Sequence, residues 1–189
     1  NPAQGHITLT KRDKRQSAKN GWQEFDKEQL KTLFDAANFG KLSKDDSRWV
    51  AILSLYTGAR PNEICQLDIH DFQKIGVTDC VEITQIGDDK RTKNDASERF
   101  VPVHPELVKL GLLEKIQAEK MAGHTALFPK LNRKTLNGPS NTVGKDFTEY
   151  LAELGLKPRG TGKMGLRSLR PCVVTELAEE GVPQGWREL

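Results

Sequence analysis

The sequence is short of the features that mark disulfide-stapled, membrane-spanning or metal-dependent proteins. Its three cysteines, Cys65, Cys80 and Cys172, are odd in number and have no CxxC spacing, which argues against a disulfide scaffold and for a reducing compartment. The longest apolar run, Val50 to Leu55, is already broken by Ser54 and falls far short of the ~20 residues that a membrane span needs. No signal-peptide pattern is present, since Thr8 to Lys19 is polar and basic. His6, His70, His104 and His124 share no ligand spacing with the cysteines, so no metal is expected. No GxxxxGK followed by Ser or Thr occurs, so no nucleotide cofactor is expected either. Tyrosine is scarce: Tyr56 and Tyr150 are the only two, and both sit in apolar helical contexts that read as core.

What remains is a chain of 189 residues, 36% hydrophobic and with 16 glycines, long enough to bury one sizeable core. Whole-chain disorder, collagen and coiled coil do not fit that composition. The net charge is only +3, from 29 basic and 26 acidic residues, but the charges are segregated. Residues 8–19 hold five cations against Asp13. Residues 130–145 (Lys130, Arg133, Lys134, Lys145) and 157–170 (Lys157, Arg159, Lys163, Arg167, Arg170) hold no acid. Such segments suit a face that binds a polyanion, and they equally suit solvated loops.

The pattern predicts a mainly α chain carrying one small antiparallel sheet, an α+β domain. Residues 1–20 have few apolar residues and no periodicity, and read as a basic arm. Asp26 with Gln29 three residues on predicts a capped helix start, with Leu30, Leu33, Phe34 and Ala37 on one face and a stop near Gly40. Asp45 or Asp46 opens a core helix running to Tyr56. Thr57-Gly58-Ala59 interrupts it, and Pro61 fits the first turn of the next helix. Alternation over Cys80–Ile86 and again over Arg99–Val103 predicts strands, joined past a turn at Gly87–Lys90 into a sheet of about residues 80–104. Helices are expected over Glu106–Lys120, Asn141–Leu154 and Leu166–Glu180, with a glycine-containing loop over Pro158–Gly165.

The informative segment is Thr57-Gly58-Ala59-Arg60-Pro61-Asn62-Glu63-Ile64-Cys65-Gln66-Leu67. A glycine turn lifts Arg60 out between two apolar helices, and Glu63, three residues on, can reach back to orient the guanidinium. An arginine so held suits two parallel hydrogen bonds to a phosphate. By itself the segment also fits an ordinary helix corner with a surface arginine.

Thr57-Gly58-Ala59-Arg60-x-x-Glu63-Ile64-x-x-Leu67 resembles the first arginine box of the tyrosine recombinases, the phage-integrase family. Two further stretches, in family order, strengthen the likeness. Lys90-Arg91-Thr92-Lys93 through Arg99-Phe100-Val101-Pro102-Val103-His104-Pro105 resembles the family's lysine-bearing β-hairpin. Gly165-Leu166-Arg167-Ser168-Leu169-Arg170 resembles the box that usually reads His-x-x-Arg. The likeness covers about residues 20–185. It implies a catalytic domain of that family over residues 21–189, reached by a linker at 1–20, and metal-free phosphoryl transfer on double-stranded DNA. It further implies a homo-tetramer on DNA when full length, and a cytoplasmic, nucleoid-associated protein of bacterial or phage origin. In such a site two arginines hold the non-bridging oxygens, a lysine protonates the leaving oxygen, and a tyrosine attacks the phosphorus. Carried over, Arg60 and Arg170 are the arginines, Glu63 the supporting acid and Lys93 the lysine, with Lys90 its rival. Lys90, Arg91 and Lys163 are further expected to touch DNA.

Two departures from the family pattern stand out. Arg167 occupies the usual histidine position; it can hold phosphate but not readily accept a proton, and so reads as an extra clamp, an altered active site or a loop out of register. The family tyrosine lies downstream of the second arginine, whereas Tyr56 and Tyr150 both precede Arg170. The chain is therefore expected to be a piece truncated at its C-terminus and lacking the nucleophile, from a phage or mobile-element integrase. A non-catalytic DNA-binding module that kept the phosphate clamp is the alternative, and a type IB topoisomerase a third reading.

Overall fold

The computed structural model describes residues 21–84, 90, 98–136 and 138–184. The described residues are predominantly helical, with one three-stranded antiparallel sheet. Helix α1 (Lys27–Phe34) begins with the expected capping box: Asp26 accepts from the Gln29 amide, and the Gln29 side chain accepts from the Asp26 amide. The expected single helix stops early, because Asp35 caps a second one. Its carboxylate accepts from the amides of Ala37 and Asn38 and starts the short α2 (Ala36–Phe39).

Helix α3 (Asp45–Thr57) is the central one, burying Val50, Ala51 and Leu53. It ends at Gly58, whose φ of 63° closes the helix in the left-handed conformation. A side chain there would be strained twice over, since a Cβ would lie 3.2 Å from Val173 Cγ1. The short α4 (Pro61–Cys65) follows, with proline in its first turn. The chain then forms β1 (Phe72–Ile75), β2 (Thr78–Ile83) and β3 (Arg99–Pro102), paired in that order. Ile83 stands opposite Arg99 and Phe72 opposite Val81. The sheet thus reaches back to residue 72, beyond the stretch of clear alternation, because β1 is exposed along most of its length and carries no period-two signal.

The helix expected over 106–120 is two, α5 (Pro105–Lys109) and α6 (Leu112–Met121). Gly111, at φ 94°, breaks them apart. Leu127 and Phe128 are fully buried; the Leu127 amide bonds the Leu67 carbonyl and pins this segment beneath α4. Helix α7 (Ser140–Glu153) buries Val143, Phe147, Tyr150 and Leu151, much as its spacing predicts. A turn of 3-10 helix at Leu166–Ser168 leads into α8 (Leu169–Glu179). Helix α3 packs on both α7 and α8, and each large apolar side chain buried in that layer contributes about 1.5–3 kcal/mol.

One further element bears on the site. Residues 21–27 form a strap across the 159–165 loop and α8. The Lys163 amide donates to Gly21 O, the Gln23 amide to Lys163 O and the Arg159 amide to the Gln23 side chain. Arg159 also pairs with Asp26 at 2.9 Å. Phe25 bonds Cys172 Sγ through its amide, and Thr175 donates to Glu24. No helix among the described residues is long and apolar enough to cross a membrane.

Candidate functional site

The glycine turn, the start of β3 and the first turn of α8 meet around one buried carboxylate. Glu63 is 2% exposed and accepts from the Arg60 amide at 2.8 Å and from Arg60 Nη1 at 2.6 Å. Its Oε2 also takes Arg99 Nη2 at 3.1 Å. Burial alone would raise the Glu63 pKa. The two hydrogen bonds from Arg60 and the charge of Arg99 outweigh burial and hold it below its ordinary value. Glu63 is therefore ionised at neutral pH, and it braces Arg60 as the spacing predicts.

Arg170 enters from α8. Its guanidinium donates to the Gly58 carbonyl, two residues from Arg60, so the two arginines expected to act together do lie together. Desolvation and then the like charges of Arg60 and Arg99 lower the Arg170 pKa, against the pull of Glu63. An arginine so placed stays protonated near neutral pH, and an arriving anion relieves the repulsion that it feels. Among the described residues, Glu63 thus takes both Arg60 and Arg99, and Arg170 reaches the same turn through the Gly58 carbonyl. The Arg60 side chain is about a third exposed (32%), which opens the cluster to a ligand. Chemically, the arrangement can hold an oxyanion such as a phosphodiester between rigid donors.

Arg99 escaped the sequence reading. It was read only as the first residue of a predicted strand, whereas in the fold it pairs with Glu63 from the start of β3. The one available signal was its place beside the hairpin motif.

The other expected residues fall differently. Lys93 and Arg91 lie outside the described residues. Lys90 does not stand at the surface awaiting DNA: its side chain is 4% exposed, with Nζ 2.6 Å from Asp71 and 3.1 Å from Asp68. Asp68 also pairs with Arg133 at 2.9 Å, and Arg133 donates to Leu67 O, so that cation of the 130–145 segment is structural as well. The correction has a simple cause: a lysine among carboxylates on the 68–71 turn gains more from burial with them than from water. Arg167 is exposed and sits over the ring of Trp22, 5.8 Å from its centroid, rather than against Glu63. It lines a groove beside Pro61 with Trp22, Asn141 and Lys145, and with Glu149 as its acid. Lys163 is exposed, its backbone held by the strap.

Both tyrosines pack against other parts of the fold. The Tyr150 hydroxyl is buried and donates to Leu33 O, and burial pushes its pKa up to about 12. Tyr56 stacks on His104, centroids 4.9 Å apart. That histidine caps α5 by accepting from the Glu106 amide.

The phage integrase family model matches residues 23–185. Comparison with curated proteins gives no match. Among solved structures, the chain is similar to XerH site-specific recombinase bound to difH substrate in a pre-cleavage complex. That likeness has a TM-score of 0.59 at 18% identity and covers 87% of this chain and 45% of the other. It is also similar to the same recombinase bound to palindromic difH substrate in a post-cleavage complex, with a TM-score of 0.55 at 18% identity, covering 85% and 43%. The chain thus spans less than half the length of these structures, and at that identity the likeness establishes the fold.

Proposed function

This chain belongs to the phage integrase family of tyrosine recombinases, and from that premise we propose that it grips the scissile phosphate of duplex DNA in site-specific recombination by a phage or mobile-element integrase. The observation that carries the reading is the bracing of Arg60 by buried Glu63 beside the Gly58 carbonyl that Arg170 reaches, with the Arg60 side chain about a third exposed. Arg60 and Arg170 hold the non-bridging oxygens, and Glu63 keeps Arg60 aimed. Their fixed donors stabilise charge as the phosphorus is attacked, without reorganising at the moment of reaction. Lys93 is the residue assigned to protonate the 5′ oxygen as it leaves. The exposed cations Arg167, Lys145 and Lys163 supply sequence-independent backbone contacts, so affinity should fall steeply with salt.

The attacking tyrosine of the reaction is neither Tyr56 nor Tyr150, since both hydroxyl-bearing rings are committed to packing. The chain by itself should therefore bind duplex DNA without becoming joined to it. A titration of labelled duplex DNA at several salt concentrations, paired with a nicked suicide substrate analysed on a denaturing gel, tests both halves. Salt-insensitive binding, or none, would sink the phosphate reading. A covalent adduct at Tyr56 or Tyr150 would sink the assignment of the tyrosines.

A further inference from the structure

We propose that the strap is a positioning element of the phosphate clamp: Glu24 and Phe25 hold α8 in the rotation at which Arg170 reaches the Gly58 carbonyl. The inference rests on the DNA-phosphate reading above and adds to it residues that lie outside the three sequence boxes.

Helix α8 is held from two sides. The Phe25 amide donates to Cys172 Sγ at 3.3 Å, and the Thr175 hydroxyl donates to a Glu24 oxygen at 2.7 Å. Cys172 Sγ in turn donates to the Ser168 carbonyl at 3.1 Å, one turn back. Ser168, Cys172 and Thr175 follow the four-then-three spacing that puts residues on one helical face. Arg170 and Val173 form another stripe. Arg170 donates to the Gly58 carbonyl, and Val173 packs so near Gly58 that a Cβ there would lie 3.2 Å from its Cγ1. At about 100° per residue the two stripes lie on roughly opposite sides of the helix. The strap therefore backs the face that Arg170 does not use.

The strap is itself seated in the core. Phe25 is 3% exposed and meets Phe147 of α7 edge-on, ring centroids 6.4 Å apart. Trp22 lies against Gly165, where a Cβ would come within 2.9 Å of its ring. The loop before Arg170 and the helix after it thus rest on the same short segment. A group about 5–6 Å from the helix axis moves about 2 Å when the helix turns by about 20°, more than a hydrogen bond survives. A loosened strap is therefore felt at the bond between Arg170 and Gly58.

The test uses charge-neutral substitutions on α8, so that long-range attraction to DNA is unchanged. Cys172→Ala/Thr175→Val removes both side-chain contacts to the strap and should weaken duplex DNA binding, read by fluorescence anisotropy, about fivefold. In an Arg170→Ala background the same pair should change affinity by less than about twofold, because the residue that the strap positions is gone. Cys172→Ser/Thr175→Ser keeps an acceptor and a hydroxyl in place and should bind within about twofold of wild type. A strap that only stabilises the fold would lower the denaturant midpoint of Cys172→Ala/Thr175→Val and leave its affinity, measured well below the transition, unchanged. That result overturns the proposal. So does an equal loss of affinity in the two backgrounds, which would mean that the strap acts on DNA by another route. Should the double variant not fold, Thr175→Val alone decides, since it alters an exposed contact. A loss of about twofold that disappears with Arg170→Ala supports the proposal; no loss, or an equal loss, overturns it. Arg170→Ala by itself separates the two levels. If it binds as well as wild type, the phosphate reading fails; if it binds weakly while the strap variants bind normally, only the role of the strap fails.

Discussion

Among the described residues, two clusters of carboxylates and cations are built alike and exposed differently. At the 68–71 turn, Asp68 and Asp71 face Lys90 and Arg133, two acids against two bases. At the glycine turn, Glu63 faces Arg60 and Arg99, with Arg170 on the neighbouring Gly58 carbonyl. The first is closed: Lys90 is 4% and Arg133 13% exposed. The second is open at Arg60. A closed cluster stabilises the fold, whereas a guanidinium held in place and left a third exposed can be reached by an anion. Exposure of a braced cation, more than the number of cations in a segment, separates structural from ligand-directed charge.

Breaking the balanced cluster should have the largest effect on the fold. Lys90→Met leaves two buried carboxylates with one cation between them and should cost about 3–5 kcal/mol, read as a lower denaturant midpoint. Duplex DNA binding measured well below the transition should change little. Strong loss of binding with full stability would mean that Lys90 belongs to the clamp after all. Breaking the cluster that opens at Arg60 should invert that outcome. Arg60→Ala and Arg170→Ala should each weaken DNA binding by about 1–3 kcal/mol and reduce the salt slope by about one, while melting changes less than in Lys90→Met.

Acid titration sharpens the comparison further. Glu63 has a depressed pKa in the fold, so its stabilising effect is fully present above the unfolded value of about 4.3 and is lost as pH falls through the folded value. Melts of wild type and Glu63→Gln should therefore differ by a constant amount from pH 7 to about 5 and converge only in stronger acid. Convergence between pH 7 and 6 would show that Glu63 is not held ionised. The smallest effect belongs to Arg167→Ala, which removes an exposed cation–π contact worth about 0.5–1 kcal/mol. It should alter Trp22 fluorescence and barely move the melting temperature.

Sequence periodicity was enough to locate α3, α7 and the capping box of α1, because each rests on local spacing. It missed the break at Asp35, where a polar side chain competes for the amides of the next turn. It missed β1 as well, whose exposed face removes the alternation that marks a strand. Among site residues, the spacing of three made a brace between Arg60 and Glu63 legible, while their place in a site rested on the likeness of the whole segment to the family's arginine box. Arg99 and the buried state of Lys90 were not, since each depends on partners 36 and 19 positions away. Pairing across such distances leaves no periodic trace in a single sequence.

The strap over α8 carries a consequence for the order of assembly. Its contacts join residues 133 to 151 positions apart, and the arginine turn meets α8 across 112. Closing so long a loop is only slightly dearer in entropy than closing half of it, about 0.6 kcal/mol per doubling, yet it can happen only after α8 has left the ribosome. Helices α1 to α4 and the sheet can pair early from neighbouring residues. The seat of Arg170 must wait for α8, so the nascent protein should pass through a folded-looking stage that has no grip on nucleic acid.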